Sequence, residues 1–499
     1  MNRVSFFSNV IYQILMVILQ RLSGLIVNII LAKLLTPQNF GIFALFQRLC
    51  ETTTSVFRFG LSLSSQVLVA EPESKELHSV RKGSLIGTAL LVNLIIIFLG
   101  SIFLVTFRDY ASQDLFQQES ISPWLYCLVI FCFFQAFENV LEGILRGFSR
   151  FKILGLFNSY IAIGFLVAAP VFTSLFSLKG AIYIVTFIQF IRTIIYVYYT
   201  YRALGEEKVA INIKDFIQSL RSHLKIAAPF YAPTLIAAPV SVLLLSFLTE
   251  AGGLESMAFL KISVSLGMIV QAVPAAITSV FLSRFAEEND SDNKQILDDL
   301  FLMNIKIVWI LSILSSLAIL AVLPVIVGYL FGGQYADVIK SAPYYLPTIT
   351  IVNIYNIVTS ALLARKFANS VMFSNIFCIS LWFILGSYLI PALSLNGYFL
   401  TELCGFFLGL VISLTFYVRY LKPNKGFYST MFKILVINII LFSSFFYLNE
   451  VLLILNRIFI FGTLGLTILT LSWFYLINKS EKSRMKEIFV TLKSTLTSR

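Results

Sequence analysis

Residues 6–70 read FFSNVIYQILMVILQRLSGLIVNIILAKLLTPQNFGIFALFQRLCETTTSVFRFGLSLSSQVLVA. Two apolar segments are joined here by the short link Leu34-Leu35-Thr36-Pro37-Gln38-Asn39-Phe40-Gly41. Each segment reaches the roughly 20 residues that a helix needs to cross a bilayer. Yet each carries charge near its middle: Arg21 in the first, and Arg48, Glu51 and Arg58 in the second. A charge at mid-membrane depth costs several kcal/mol unless it faces a protein interior or a wet cavity. The stretch therefore describes a polar path inside an apolar shell.

The rest of the chain has the same character. Of 499 residues, 58% are hydrophobic and only 12% charged, with a mean hydropathy of +0.88. A soluble domain has roughly a quarter of its residues charged, so this is an integral membrane protein throughout. The five cysteines (Cys50, Cys127, Cys132, Cys378, Cys404) fall in apolar stretches without metal-ligand spacing and read as packing residues. Only His78 and His223 could serve histidine chemistry, and both lie near expected membrane edges. No catalytic or metal site is expected, and no cofactor. The apolar run from Phe6 has no small-residue cleavage site after a short core, so it is read as the first membrane helix rather than a signal peptide.

Hydropathy predicts an all-α bundle of fourteen spans, near 8–32, 40–66, 84–107, 122–146, 152–175, 180–201, 224–249, 255–283, 299–330, 341–364, 370–391, 397–420, 429–449 and 455–477. Most of the 37 Lys and Arg sit at the N-terminus, in the even-numbered loops and in the tail. The odd-numbered loops hold only Lys33, Arg108, Lys179, Lys340 and Arg457. This bias places both termini in the cytoplasm. It also explains the net charge of +12 as a topology signal, helped by anionic lipid headgroups, so no nucleic-acid partner is expected.

The chain also repeats itself. At an offset of 217, Asn158 falls on Asn375, Ser177-Leu178 on Ser394-Leu395, Gly180 on Gly397 and Arg202 on Arg419. At an offset of 214, Ala44 falls on Ala258, Gln47 on Lys261 and Ser65 on Ser279. The expected organisation is two six-helix lobes, residues 1–205 and 206–422, of like orientation in the membrane. Helices 13 and 14 (423–478) and a basic cytoplasmic tail (479–499) follow. No loop could hold a soluble catalytic domain and no phosphate-binding Gly-x-x-x-x-Gly-Lys loop occurs, so an ion, voltage or substrate gradient must drive any transport.

Polar residues recur at helical spacing on several spans. Gln13, Gln20, Arg21, Gly24 and Asn28 share a face of the first helix; Gln47, Arg48, Glu51, Thr52, Ser55, Arg58 and Ser62 share one of the second. The fourth carries Gln135, Glu138, Asn139 and Glu142; the sixth Arg192; the eighth Lys261 and Ser265; the twelfth Glu402. Such stripes must point inward together. Six intramembrane cations (Arg21, Arg48, Arg58, Arg192, Lys261, Lys306) outnumber four anions (Glu51, Glu138, Glu142, Glu402), which favours anionic cargo. The plainer alternative is internal pairing, of Arg48 or Arg58 with Glu51 in the same helix or with Glu138 and Glu142 across the bundle. Lys306 is expected to snorkel to the headgroups. Pro229, Pro233 and Pro239 read either as a hinge or as a static kink.

Leu31-Ala-Lys-Leu-Leu-Thr-Pro-Gln-Asn-Phe-Gly-Ile-Phe-Ala-Leu45 resembles the junction of helices 1 and 2 in the polysaccharide transporters of the MOP superfamily, relatives of the MATE exporters. Leu141-Glu-Gly-Ile-Leu-Arg-Gly-Phe-Ser-Arg-Phe-Lys152 is similar to the loop after helix 4 in the same family. The resemblance implies two lobes around a cavity that opens alternately to either side. The implied cargo is an undecaprenyl-pyrophosphate-linked oligosaccharide, flipped across a bacterial cytoplasmic membrane, with the other export proteins, a polymerase among them, as partners. In the related lipid II flippases, arginines on helices 1, 2 and 8 engage the pyrophosphate. Arg21, Arg48 and Lys261 occupy similar helices here, Lys261 departing from the bidentate guanidinium as a point charge. Arg58 and Arg192 complete the expected substrate-binding set, and Glu51, Glu138 and Glu142 are the ion-coupling candidates. The alternative is a cation-coupled MATE-type multidrug exporter, for which buried carboxylates should dominate the lumen. An enzyme is not expected.

Overall fold

A computed structural model describes residues 22–70, 75–288, 294–365, 367–423, 426–434, 436–438, 460–461, 463–465 and 467. Arg21, most of the last two predicted spans and the tail lie outside the described residues, as do the side chains of 75–81, His78 among them. What is described is helical, without strands among the described residues. Eight of its helices are long and apolar enough to cross a membrane. The protein is an all-α, multi-pass membrane protein, as hydropathy requires.

The helices are α1 Leu22–Leu34, α2 Pro37–Phe57, α3 Leu61–Ala70, α4 Lys75–Thr106 and α5 Ser122–Gly147. Phe151–Glu206 bends at Ser177 (φ 53°, ψ −137°) into α6, residues 151–176, and α7, residues 178–206. Phe216–Glu288 bends at Gly253 (φ 65°, ψ −177°) into α8, residues 216–252, and α9, residues 254–288. Then come α10 Lys294–Ile326, α11 Asp337–Ala364, α12 Ala368–Leu393 and α13 Leu395–Leu421. Backbone contacts group Met1–Ser265, Phe331–Tyr335 and Met372–Gly405 into one compact unit, and Leu266–Leu330, Ala336–Val371 and Phe406–Arg499 into a second.

The link between the first two helices folds by local rules. Thr36 is extended (φ −66°, ψ 156°) and its hydroxyl accepts from the Asn39 N–H, with Pro37 opening α2 where no donor is needed. Gly41 then lies so close to the Leu254 carbonyl at the start of α9 that a Cβ there would collide with it.

The second predicted helix, 40–66, is corrected by the structure: it breaks at Phe59 (φ 48°) and Gly60 (φ 66°). A break inside a membrane needs partners for the carbonyls it frees. Tyr231 donates to the Val56 carbonyl at 2.7 Å and Asn93 to that of Phe57 at 3.1 Å. The Gly60 backbone packs against Ala227, leaving no room for a side chain. By contrast, α8 stays helical through Pro229, Pro233 and Pro239, and the non-helical residue is Gly253, between α8 and α9. Nearby, His223 is inserted between α3 and α4: its Nδ1 lies 2.8 Å from the Ser64 hydroxyl and its Nε2 3.1 Å from the Leu85 carbonyl. A carbonyl only accepts, so Nε2 carries the proton and Nδ1 accepts from Ser64.

The 217-residue repeat is visible in the backbone. Ser177 and Ser394 both have positive φ (53° and 48°). A Cβ on Gly180 would strike the Phe172 carbonyl, and one on Gly397 the Leu389 carbonyl. Leu389 is the counterpart of Phe172, so the α6–α7 and α12–α13 hairpins close in the same way. The preceding turns agree too. Phe148 N–H donates to Ile144 and Arg365 N–H to Ala361; Arg150 donates to Leu145 and Phe367 to Leu362; Leu154 donates to Arg150 and Val371 to Phe367.

Candidate functional site

Within the first unit, α2 carries a polar face whose members meet different fates. Arg48 Nη1 lies 3.4 Å from Glu51 Oε2 one turn along, the same-helix pairing that spacing allowed. Thr54 donates to Gln135 Oε1 on α5 at 2.8 Å. Gln47 Oε1 and Arg58 Nε are buried without a hydrogen-bond partner among the described residues. Arg58 ends α2 at the break, where Glu142, Glu138 and Glu51 act on it electrostatically without an ion pair among the described residues.

Among the described residues, charges from three helices act on one another electrostatically around Arg48. Lys261 on α9 feels both Glu51 and Arg48. Glu402 on α13 feels Arg48 and accepts a hydrogen bond from Tyr398, one turn earlier on the same helix. The neighbouring α1 is tied to α9 where Asn28 Nδ2 donates to Ser265 Oγ at 2.9 Å and Ser265 donates to the Lys261 carbonyl at 2.8 Å. Among the described residues, two cations here act with two carboxylates.

A second network is built by α5, α6 and α7. Glu138 is 3% exposed and pairs with Arg192 at 2.7 Å, while Gln189 donates to its other oxygen. Arg192 also donates to Asn158 Oδ1 at 3.3 Å, as does the Tyr196 hydroxyl at 3.2 Å. Glu142 pairs with Arg146 at 2.6 Å. An ion pair in an apolar bundle offsets its desolvation only when its remaining lone pairs and protons find partners; Gln189 and Asn158 supply some of them, while Arg192 Nε is buried without a partner among the described residues.

The structure brings Arg48, Glu51 and Lys261 together, and Glu138 with Arg192. It holds Glu142 on Arg146 and leaves Arg58 between the two groups. Lys306 is a correction: it is 4% exposed rather than snorkelling outward. Its place on α10 is buried by packed neighbours that hydropathy does not see. The sequence reading passed over Gln189 and Tyr196, although 189, 192, 193 and 196 lie on one helical face, and it treated Asn158 only as a repeat marker. Among the described residues no group of His, Cys, Asp or Glu could hold a metal ion.

Opposed charges kept on inward faces of a multi-pass helical bundle mark a polar functional site within the membrane. The profile of the family described as Polysaccharide biosynthesis protein matches residues 6–288, more than half of the chain. The chain belongs to that family. Solved structures with the same fold include the lipid II flippase MurJ in an inward closed conformation (16% identical, TM-score 0.70, covering 93% of this chain and 99% of that one). A multidrug resistance MATE family transporter of the MOP superfamily, facing inward, is 18% identical with a TM-score of 0.64, over 83% of this chain and 98% of its own. A MOP superfamily transporter from Pyrococcus furiosus is 17% identical with a TM-score of 0.60, over 83% and 95%. At these identities the likeness is one of fold. No curated protein matches the chain.

Proposed function

We propose that the protein is a flippase that carries an undecaprenyl-pyrophosphate-linked oligosaccharide across the bacterial cytoplasmic membrane for cell-surface polysaccharide export. The observation that carries this reading is the approach of Arg48 and Lys261, from α2 and α9, to within electrostatic range of each other. Like charges in an apolar bundle repel; Glu51 offsets that repulsion at rest, and a polyanionic ligand would answer both cations at once. A diphosphate takes a guanidinium fork from Arg48 and a point charge from Lys261. Gln47 Oε1 and Arg58 Nε on the same face, without partners among the described residues, leave an acceptor and a donor for the sugar end. Arg21 belongs to the proposed set through its place in the first span.

Alternating access of two six-helix lobes, 1–205 and 206–422, with cytoplasmic termini, supplies the motion. Of the three coupling candidates, Glu51 has the most exposed carboxylate, at 56%, and is the one we assign to an ion. Collapse of the proton and sodium gradients should then stop transport; unchanged activity would sink that assignment.

The test of cargo binding is Arg48→Ala and Arg48→Glu in cells that depend on this protein for surface glycan. Both variants should reach the membrane at normal levels and lose glycan export. Normal export by both removes the site, and drug resistance on expression would favour the multidrug reading.

A further inference from the structure

The first turns of α8 are zipped onto α3 and the end of α2 in a regular register. His223 meets Ser64, its Nδ1 2.8 Å from the hydroxyl. One turn on, Ala227 fills the space against Gly60. A further turn on, Tyr231 donates to the Val56 carbonyl at 2.7 Å, and its ring centroid lies 4.7 Å from that of Phe59. Steps of four along α8 thus match steps of four backward from Ser64, as they do where two helices run antiparallel. One turn before His223, the Ser219 and Ser84 hydroxyls lie 3.0 Å apart, Ser84 being on α4. The connector ahead of α8 is tied down where the Asn212 N–H donates to the Gly83 carbonyl at 3.2 Å. All these residues belong to the first compact unit, although α8 begins the second half of the chain.

His223 is the member of this row that pH can reach, since a tyrosine ordinarily titrates near 10 and the serines carry no group that ionises near neutrality. The imidazole is 1% exposed, and burial holds it below its ordinary value. Its hydrogen bonds would survive a second proton. Charged Nδ1 would donate to Ser64, whose hydroxyl also lies 3.2 Å from the Leu61 carbonyl and can donate there instead. What the proton costs is therefore the burial of a charge. The facing segments do little to answer it. α3 carries no charged residue and α4 offers the cation Lys82, while Asp215, Arg221 and Lys225, on or just before α8, are exposed. Glu142 on α5, which packs behind α3, is held by Arg146. We propose that His223 is a pH-sensitive latch: neutral, it locks the start of α8 onto α3 and α4, and protonation from the cytoplasmic side releases it. In transport the latch sets when this seam parts, a use that rests on the alternating-access reading above.

The full-length protein in inside-out membrane vesicles tests the latch. Ser219→Cys places a thiol in the buried seam, and its alkylation by N-ethylmaleimide is read by peptide mass spectrometry; Ser84→Cys probes the same seam from α4. At each pH the rate is divided by that of the same probe combined with His223→Gln, which cancels the acid dependence of the thiol itself. Glutamine keeps a donor for the Leu85 carbonyl and an acceptor for Ser64 but does not titrate. From about pH 7.5 to about pH 5.5 the ratio should rise about tenfold, the linkage of one proton over the unit below the ordinary imidazole value. Tyr231→Phe loosens the register without touching the titration, so it should raise labelling at both pH values and keep the rise. The chain has only two histidines, so His78→Gln leaves a single imidazole whose titration nitrogen NMR can follow in nanodiscs; its midpoint should lie below about 6.5. A ratio that stays flat or falls in acid, labelling untouched by Tyr231→Phe, or a midpoint at or above that value overturns the latch and leaves the flippase reading standing. Normal glycan export by the Arg48 variants removes the flippase reading and leaves the latch.

Discussion

The helical hairpin 151–206 and its repeat 368–421 share turn conformations and hydrogen bonds, yet their interiors differ. In the first half, Glu138 on α5 receives Gln189 and Arg192 from α7. Their counterparts at the same offset are Tyr355, Phe406 and Gly409. There Tyr355 and Phe406 pack ring against ring, centroids 5.9 Å apart. A hydrogen-bonded ion pair has been exchanged for an aromatic pair on an equivalent frame. The difference shows that a polar network in such a bundle stands or falls as a set. Each member satisfies another, and a half-satisfied network costs more than an apolar core. What repeats is what the backbone demands: a left-handed residue at the turn and a glycine where two helices nearly touch.

The strongest way to break this comparison is to transplant one interior into the other. Glu138→Ala alone leaves the part-buried Arg192 without its carboxylate and should cost about 3 kcal/mol, read as loss of folded protein in a detergent unfolding assay. The triple variant E138Y/Q189F/R192G copies the second half and should recover much of that loss, because no uncompensated charge remains. A triple variant as unstable as the single one would mean that the two frames are not interchangeable.

Gly180→Ala and Gly397→Ala test the frame itself. Each places a methyl group against a backbone carbonyl and should destabilise by about 1–3 kcal/mol, by similar amounts in thermal unfolding. Markedly unequal effects would separate the two hairpins.

Acid response sharpens the contrast where the second half begins, at α8. Burial pushes the His223 imidazole below its ordinary value, against a smaller lift from the Leu85 carbonyl; the residue lies outside the membrane spans. Since the folded value is below the unfolded one, about 6.5, the unfolded chain binds more protons between the two. The stability from this residue is complete above about pH 6.5 and falls as pH drops from there toward the folded value. His223→Gln should flatten that drop in thermal stability; an unchanged slope would assign it elsewhere.

Smallest of all, Ser177→Gly and Ser394→Gly should each leave stability equal or raise it by up to about 1 kcal/mol, since positive φ is strained for serine and free for glycine.

Much of the fold was legible because it follows from local chemistry. Apolar run lengths placed the spans, and Thr36-Pro37 marked the start of α2. The Ser177/Ser394 and Gly180/Gly397 matches, sparse as letters, turned out to sit at the two hairpin turns. The break at Phe59-Gly60 was not legible, because its cause lies far along the chain: Tyr231 and Asn93 receive the carbonyls that the break releases. The candidate site divides in the same manner. Periodicity put Arg48 and Glu51 on one helical face, and their pairing needs nothing beyond α2. That Glu138 takes Arg192, while Lys261 and Glu402 gather near Arg48, depends on how separate helices are rotated and how closely they cross.

By itself, then, the sequence determined that this is a bundle of membrane helices with charged inward faces and a duplicated frame. Hydrophobicity, helical period and turn conformation are properties of neighbouring residues. Only the tertiary structure decided which cation meets which carboxylate. A charge in an apolar medium must be answered by whatever group packing brings within a few ångströms, and residues as far apart in the chain as Glu138 and Arg192 meet only in three dimensions.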